Sequence, residues 1–278
     1  SMGRGQFVVF TESLRQESTE QISVQNVTKH AIPDGHLYLT KQPILGLSSK
    51  STACHLIQRR WDHTILNDIE FSLNIKHLLD AHYEMAFEYE YLSQLASIVK
   101  SDTGLYLMPI STEHLAHVKQ VNKLLDIFED KASVSRVCLL FSEDDLSQIS
   151  ESNLKNLKLL KRAGLNIGID QFGKNLSAAG LLTKSLFDFV LFDNKMIRSI
   201  AANPANAILL NSMIELATKL KIKPVICGVD LEQHYQRLQT LEVDLSCGKY
   251  VNGLIGQIQR SELAYDQKIT GLTIKHSA

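Results

Sequence analysis

The sequence predicts an α/β protein built as a closed (β/α)8 barrel, and three observations support this prediction. Short apolar runs of strand length alternate with segments of helix length along most of the chain. Parallel strands need long crossover connections, so this alternation indicates a parallel sheet with helices outside it. About seven or eight strand–helix units follow one another, which favours a closed barrel over an open sheet.

The predicted strands are short apolar runs rich in β-branched and aromatic residues, a composition typical of buried strands. In chain order they cover residues 37–47, 52–61, 105–110, 134–141, 165–169, 187–192, 223–227 and 243–245.

The predicted helices carry apolar residues at a spacing of three or four, which puts those residues on one face. Thr112 is a candidate N-cap for the third helix, and Gly164 is expected to end the fourth. In chain order the helices cover residues 66–79, 85–99, 112–129, 153–162, 177–183, 205–220 and 231–241.

The first 33 residues differ in character from the rest. Residues 6–10 form one isolated apolar run, residues 11–25 are polar, and a Pro-Asp-Gly turn follows at 33–35. We interpret residues 1–33 as a linker and the tail of a preceding domain, and residues 34–278 as the barrel. A first hairpin of the same domain is an equally good interpretation.

Composition excludes several classes of protein. The chain has 278 residues, 44% of them hydrophobic and 21% charged, which suits one large α/β domain or two small ones with an extensive core. The 29 basic and 30 acidic residues give a net charge of −1, so we expect no direct binding to nucleic acid. No apolar run reaches the roughly 18 residues of a membrane-spanning helix, so we expect no membrane contact from this chain.

The four cysteines lie at positions 54, 138, 227 and 247, and no two of them form a CxxC pair. Reduced, buried thiols are the expected state, since most of them lie in apolar runs. Cys227 and Cys247 follow consecutive predicted strands, which makes them candidate neighbours and leaves a redox pair as the alternative.

Ligand sites in (β/α)8 barrels lie where strands end and βα loops begin. Polar side chains at the predicted strand ends are therefore the candidate site residues. Arg60 offers a guanidinium that suits a phosphate, and carboxylates suit hard cations. The alternative is that these side chains form hydrogen bonds and ion pairs that hold the barrel mouth together. The candidates are Gln42, Arg60, Glu143, Asp170 and Asp193.

Several of these strand-end segments together resemble a known family. They are, in family order, Gln42–Leu45, Ser142–Glu143, Ile169–Gly173, Cys227–Asp230 and Cys247–Tyr250. Over residues 34–265 the chain resembles the EAL domain of cyclic di-GMP phosphodiesterases. The resemblance implies a TIM-like (β/α)8 barrel, with an antiparallel first strand as a variant. It also implies a cyclic dinucleotide at the mouth and, in active members, two divalent cations that activate a water.

The sequence departs from the family pattern at most positions that carry its chemistry. In family order, the differing residues are Leu56 for the glutamate that names the family, Pro109 for the metal-binding asparagine, Gln171 for the second aspartate, Leu191 for the lysine, Cys227 for a further glutamate and Cys247 for the glutamine. Glu143 and Asp170 would then be remnants of a metal site, and two carboxylates alone do not hold a two-metal cluster. We therefore expect no hydrolytic enzyme, no cofactor and no bound Mg²⁺. Gln42, Arg60, Asp170 and Asp193 stay as candidate ligand contacts.

The resemblance then implies a catalytically inactive EAL domain that acts as a regulatory protein-interaction module in bacterial signalling. Such modules occur behind a GGDEF-like domain in cytoplasmic or membrane-anchored regulators. The CsrD/MshH type controls turnover of regulatory RNA, and the FimX type binds the dinucleotide. The alternatives are a cyclic di-GMP receptor that does not hydrolyse its ligand and, third, a residual phosphodiesterase. Family members dimerise through the loop after the Asp170 strand, where residues 174–177 here differ from the family pattern.

Overall fold

The structure is a computed structural model, and it describes residues 28–63, 67–70, 81–128, 131–200 and 204–258. The apolar run at 6–10 lies outside the described residues, as do most of the predicted helix at 66–79 and all residues after 258. Upstream of the first strand, Ala31 is fully buried in the core, so the chain packs against the barrel before residue 34.

Eight strands close into a barrel and a ninth is attached at its side. The strands are β1 Leu37–Gly46, β2 Ser51–His63, β3 Asn67–Glu70, β4 Tyr106–Pro109, β5 Val137–Ser142, β6 Asn166–Phe172, β7 Phe189–Phe192, β8 Lys223–Ile226 and β9 Leu245–Ser246. The order around the barrel is β1-β9-β8-β7-β6-β5-β4-β2. Pairing of β1 with β2 closes the barrel, and β3 pairs with β2 outside it.

The first strand runs antiparallel to both of its neighbours, β2 and β9. The turn at residues 47–50 is too short for a crossover, so β1 and β2 must form a hairpin. The barrel strands from β2 and β4 round to β9 pair in parallel. The predicted closed α/β barrel, with its antiparallel first strand, is confirmed.

Helices cover the outside of the barrel. They are α1 Ala81–Ser101, α2 Val118–Ile127, α3 Lys131–Ser135, α4 Glu143–Ser147, α5 Glu151–Ala163, α6 Asn194–Ser199, α7 Pro204–Lys219, α8 Glu232–Leu238 and α9 Lys249–Ile258. Gly164 ends α5 with φ of 106°, as expected for a glycine at that position.

Four predicted elements differ from the structure. The helix predicted over 177–183 is a 3-10 helix at Ala179–Lys184. The helix predicted over 112–129 is a 3-10 turn at Thr112–Leu115 followed by α2, because Ser111 caps the turn and the chain extends at His117 before the helix begins. The strand predicted from residue 134 begins at Val137, since α3 occupies the preceding residues. Residues 67–70, predicted as helix, pair with β2 as a strand.

The core has two layers, because successive side chains of a strand point to opposite faces. On β5, Leu139 and Phe141 pack outward under the helices, while Cys138 and Leu140 point into the barrel. The barrel interior is filled by aliphatic and aromatic side chains and by cysteines. It is a packed core and not a pore, so a ligand of this barrel would lie beyond the strand ends.

An ionic network is buried outside the barrel, where α1 meets β2. Glu88 of α1 is fully buried, and its Oε1 lies 2.6 Å from Nη1 of Arg59. Its Oε2 lies 2.9 Å from Nε2 of the equally buried His114. Both oxygens accept the backbone N–H of Ser111, at 3.1 and 3.2 Å. One carboxylate thus ties α1 to β2 and to the chain that follows β4.

Candidate functional site

A cleft of about 630 Å³ opens at the carboxyl ends of the barrel strands. Its walls come from the middle of the β1–β2 hairpin, from the carboxyl ends of β4, β6 and β7, and from the residues that follow β6, β7, β8 and β9. Three of the four candidate ligand residues lie on it: Gln42, Asp170 and Asp193. The sequence pattern therefore brings residues from distant parts of the chain to one place.

Arg60, the fourth candidate, is not among the residues that line the cleft. It lies two residues beyond Gln58 on β2, on the same strand face, opposite Tyr38 of β1. Its backbone carbonyl accepts the Tyr91 hydroxyl at 2.9 Å. A contact between Arg60 and a ligand stays a prediction.

Gln58 is a cleft residue that the sequence reasoning missed. Its Nε2 donates to Oε1 of Gln42 at 3.3 Å, and its Oε1 accepts the Thr40 hydroxyl at 3.3 Å. The three side chains form a polar row across the β1–β2 hairpin. Alternate residues of a strand point to the same face. Gln58 stands two residues after Leu56, which lines the cleft, so this alternation predicts that Gln58 lines it too.

The aspartates of the cleft are already used as hydrogen-bond acceptors. Asp193 Oδ1 accepts the N–H of Lys195 at 2.7 Å and so caps α6. Asp230 accepts the N–H of Lys249 at 3.1 Å and pairs with Arg198 at 2.9 Å. Burial raises the pKa of Asp230, but these contacts outweigh it and lower the pKa overall. The charged, accepting form is therefore the stable one at neutral pH.

The side chains that line the cleft do not fit a pair of divalent cations. Mg²⁺ prefers oxygen ligands in octahedral geometry. Leu56 and Pro109 bring no side-chain oxygen to the mouth, and Cys227 brings a soft thiol. Leu191 is almost fully buried in the barrel interior. Within the described ranges of the chain, no group of three or more His, Cys, Asp or Glu side chains is arranged to hold a metal ion.

Glu143 anchors the loop that follows β6. Its Oε2 accepts the N–H groups of Gly173 and Lys174 at 3.0 Å and of Asn175 at 3.4 Å. Its Oε1 accepts the N–H of Ala178 at 3.4 Å. The carboxylate is fully buried and does not line the cleft, so its role in the structure is to hold a loop.

Replacing Glu143 with glutamine should loosen this loop. The amide keeps the size but turns one oxygen into an N–H donor that faces backbone donors, and it removes the charge. We expect a loss of about 2–3 kcal/mol in the free energy of unfolding, measured by urea denaturation. Asp145→Asn, in the same first turn of α4, is the matched control and should cost less than about 0.5 kcal/mol. Equal losses in the two variants would contradict the anchoring role.

Four cations stand around the cleft: Lys174, Lys195, Arg198 and Lys249. Two of them are already paired with carboxylates, Lys174 with Asp144 at 2.5 Å and Arg198 with Asp230 at 2.9 Å. Lys and Arg side chains on a cleft attract anionic groups. The rule that site residues lie at strand ends does not predict these cations, because they lie in the segments that follow the strands.

The comparison with protein families decides the identity of the fold. A family model described as the EAL domain matches residues 25–253. The chain belongs to the EAL-domain family. Its closed barrel matches the fold of solved EAL proteins.

Among curated relatives of this EAL domain, the probable cyclic di-GMP phosphodiesterase PdeA of Escherichia coli K12 is 24% identical over 255 residues, 89% of this chain. The chain spans 34% of the length of PdeA. No helix in the described part of the chain is long and apolar enough to cross a membrane.

Solved structures share the fold at low identity. The EAL enzyme Bd1971, in a form with cAMP and cyclic di-GMP bound, superposes with a TM-score of 0.74 at 21% identity. The match covers 85% of this chain and 66% of that one. The FimX EAL domain of Xanthomonas citri in complex with cyclic di-GMP superposes with a TM-score of 0.68 at 16% identity, covering 85% and 94% of the two chains.

Proposed function

We propose that this EAL domain does not hydrolyse cyclic di-GMP and acts as a regulatory module of bacterial cyclic di-GMP signalling by binding another protein. The observation that carries the proposal is the set of side chains at the mouth. Leu56, Pro109 and Cys227 stand on the cleft where a two-metal hydrolase needs oxygen ligands.

The chemistry of phosphodiester cleavage explains why this observation matters. In-line attack needs a water made nucleophilic at neutral pH, and a bound metal ion achieves this by lowering the pKa of that water. Two of the three cleft aspartates, Asp193 and Asp230, already accept structural hydrogen bonds. The position where the family has its lysine is Leu191, which is buried in apolar surroundings.

The helix α7 supports the protein-binding part of the proposal. Ile208 is 71% exposed, and Leu209 and Leu216 are 42% and 44% exposed on the same helix. Exposed apolar side chains that share one helix are found at protein–protein interfaces. A homodimer is one form that such a contact can take.

The chain spans only about a third of PdeA, so the proposal extends to a longer protein. We infer a cytoplasmic regulator, or the cytoplasmic part of a membrane-anchored one, with a GGDEF-like domain before residue 34. The CsrD/MshH and FimX types are the two family models for such a regulator.

A second candidate is a cyclic di-GMP receptor that works without metal ions. The open cleft of about 630 Å³ favours it, since Leu56 and Leu191 leave the mouth unfilled. The four cations at the rim favour it as well, because Lys and Arg side chains bind phosphate groups. Structural relatives are seen with cyclic di-GMP bound.

Calorimetric titration with cyclic di-GMP, in Mg²⁺ and in EDTA, separates these functions. The protein-binding module predicts no heat at high micromolar ligand. The receptor predicts equal heats in Mg²⁺ and in EDTA, weakened by Lys195→Glu at the rim but unchanged by Lys155→Glu on the exposed outside of α5. Heat that requires Mg²⁺, together with a linear dinucleotide product, would contradict both.

A further inference from the structure

All four cysteines contribute to the filling of the barrel interior, and two of them also line the cleft. Cys227 and Cys247 directly follow the parallel neighbours β8 and β9. Ile226 of β8 pairs with Ser246 of β9, and the N–H of Cys247 donates to the carbonyl of Ile226 at 3.0 Å. The register therefore places Cys227 and Cys247 side by side.

The two thiols are close enough to interact directly. The thiol of Cys247 is the largest cause that raises the pKa of Cys227, as expected for neighbouring side chains. Neighbouring strands lie about 4.7–4.9 Å apart, and the Cα atoms of disulfide-bonded cysteines are usually about 4.4–6.8 Å apart. A disulfide thus needs no large movement of the backbone.

Glycines after both cysteines hold the two strand ends together. Gly248 has φ of 151°, and a Cβ atom there would lie 2.4 Å from the backbone N and O of Val229. Gly228 has φ of 78°, a conformation that other residues rarely adopt. The close approach of the two segments is therefore a built feature of the cleft floor.

We propose that Cys227 and Cys247 form an oxidation site on the floor of the cleft, which closes to a disulfide when a hydroperoxide enters the mouth. Cys227 is only half-buried, whereas Cys247 is almost fully buried, so Cys227 reacts first.

The reaction has two steps. The Cys227 sulfur attacks one peroxide oxygen, the O–O bond breaks, and the products are a sulfenic acid and an alcohol, or water when the oxidant is hydrogen peroxide. The Cys247 sulfur then attacks the Cys227 sulfur, the S–S bond forms and water leaves. The two thiols lose two electrons and two protons, which the hydroperoxide takes up.

The surroundings of Cys227 set the speed of the first step. The thiol of Cys247, burial, and the neighbouring Asp170 and Cys54 all raise the pKa of Cys227. The Cys227 thiol is thus protonated at neutral pH, and only the thiolate is a good nucleophile. Oxidation should be slow at neutral pH and should accelerate about tenfold for each unit of pH below the pKa of Cys227.

Peptide mapping of the folded chain tests the proposal. The protein is treated with hydrogen peroxide at neutral and at alkaline pH, free thiols are alkylated, and trypsin is added. Trypsin cuts after Lys221, Arg237 and Lys249, so the two cysteines fall on separate peptides, 222–237 and 238–249, each with one cysteine. We expect these peptides to be recovered joined by a disulfide, faster at alkaline pH.

Two cysteine variants identify which thiols form the disulfide. Cys138→Ser, which removes an interior thiol away from the cleft, should leave the joined peptides unchanged. Cys247→Ser should abolish them and leave Cys227 as a sulfenic or sulfinic acid. A cross-link that runs to Cys54 instead would overturn the proposal. So would a folded chain that stays reduced at alkaline pH while the urea-unfolded chain is oxidised in parallel.

Discussion

Cyclic di-GMP incubated with this protein and Mg²⁺ or Mn²⁺ should remain intact. Loss of a positioned metal-bound water removes several kcal/mol of transition-state stabilisation, and each 1.36 kcal/mol corresponds to a factor of ten in rate. We therefore expect turnover at least about 10³-fold below that of an active EAL phosphodiesterase, measured by chromatographic separation of cyclic and linear dinucleotide. The physical reason is the lack of metal ligands in the cleft, where Leu56 and Pro109 stand in place of residues with side-chain oxygens.

Asp170→Asn is the control for this experiment. Asp170 is the cleft carboxylate best placed to hold one remaining cation, since it lies at the carboxyl end of β6. Turnover that survives in this variant comes from a contaminating enzyme. Turnover that the wild type shows and the variant lacks would mean that the domain builds a metal site from other groups.

Replacing Glu88 with alanine should cause the largest loss of stability of any single change discussed here. It removes the carboxylate that lies 2.6 Å from the buried guanidinium of Arg59, and it removes the acceptor of the Ser111 N–H and the partner of His114. Breaking a buried ion pair on one side typically costs about 3–5 kcal/mol. We expect that loss in the free energy of unfolding, measured by urea denaturation followed by circular dichroism.

Glu90→Ala on the same helix is the matched control. Glu90 is half-buried and accepts a hydrogen bond from Gln94 at 3.0 Å, one turn further along α1. It should cost less than about 1 kcal/mol. If the two variants lost equal stability, the loss would reflect helix α1 in general and not the network around Glu88.

The barrel was predictable because it depends on patterns that are local in sequence. Buried strands such as β5 are short apolar runs, and long helices such as α7 show apolar periodicity. The short helices α4 and α6 were missed because each covers little more than one turn. What starts them is an N-cap, Ser142 or Asp193, and an N-cap signal alone does not distinguish a helix from a turn.

The site was predictable only in part. The strand-end rule brought Gln42, Asp170 and Asp193 to one cleft. It did not reveal that Glu143 turns away from the cleft, because its partners are N–H groups 30 to 35 residues later in the chain. Such pairings depend on the three-dimensional path of a loop, which has no periodic sequence signal.

We propose that this mouth does not hold the divalent cations of a phosphodiesterase. Electron paramagnetic resonance of Mn²⁺ tests this proposal, because the sharp signal of the free ion falls when protein binds it. We expect the free Mn²⁺ signal to stay unchanged at micromolar protein and metal, with and without cyclic di-GMP. Saturable loss of the signal with a stoichiometry of two ions per chain would contradict it.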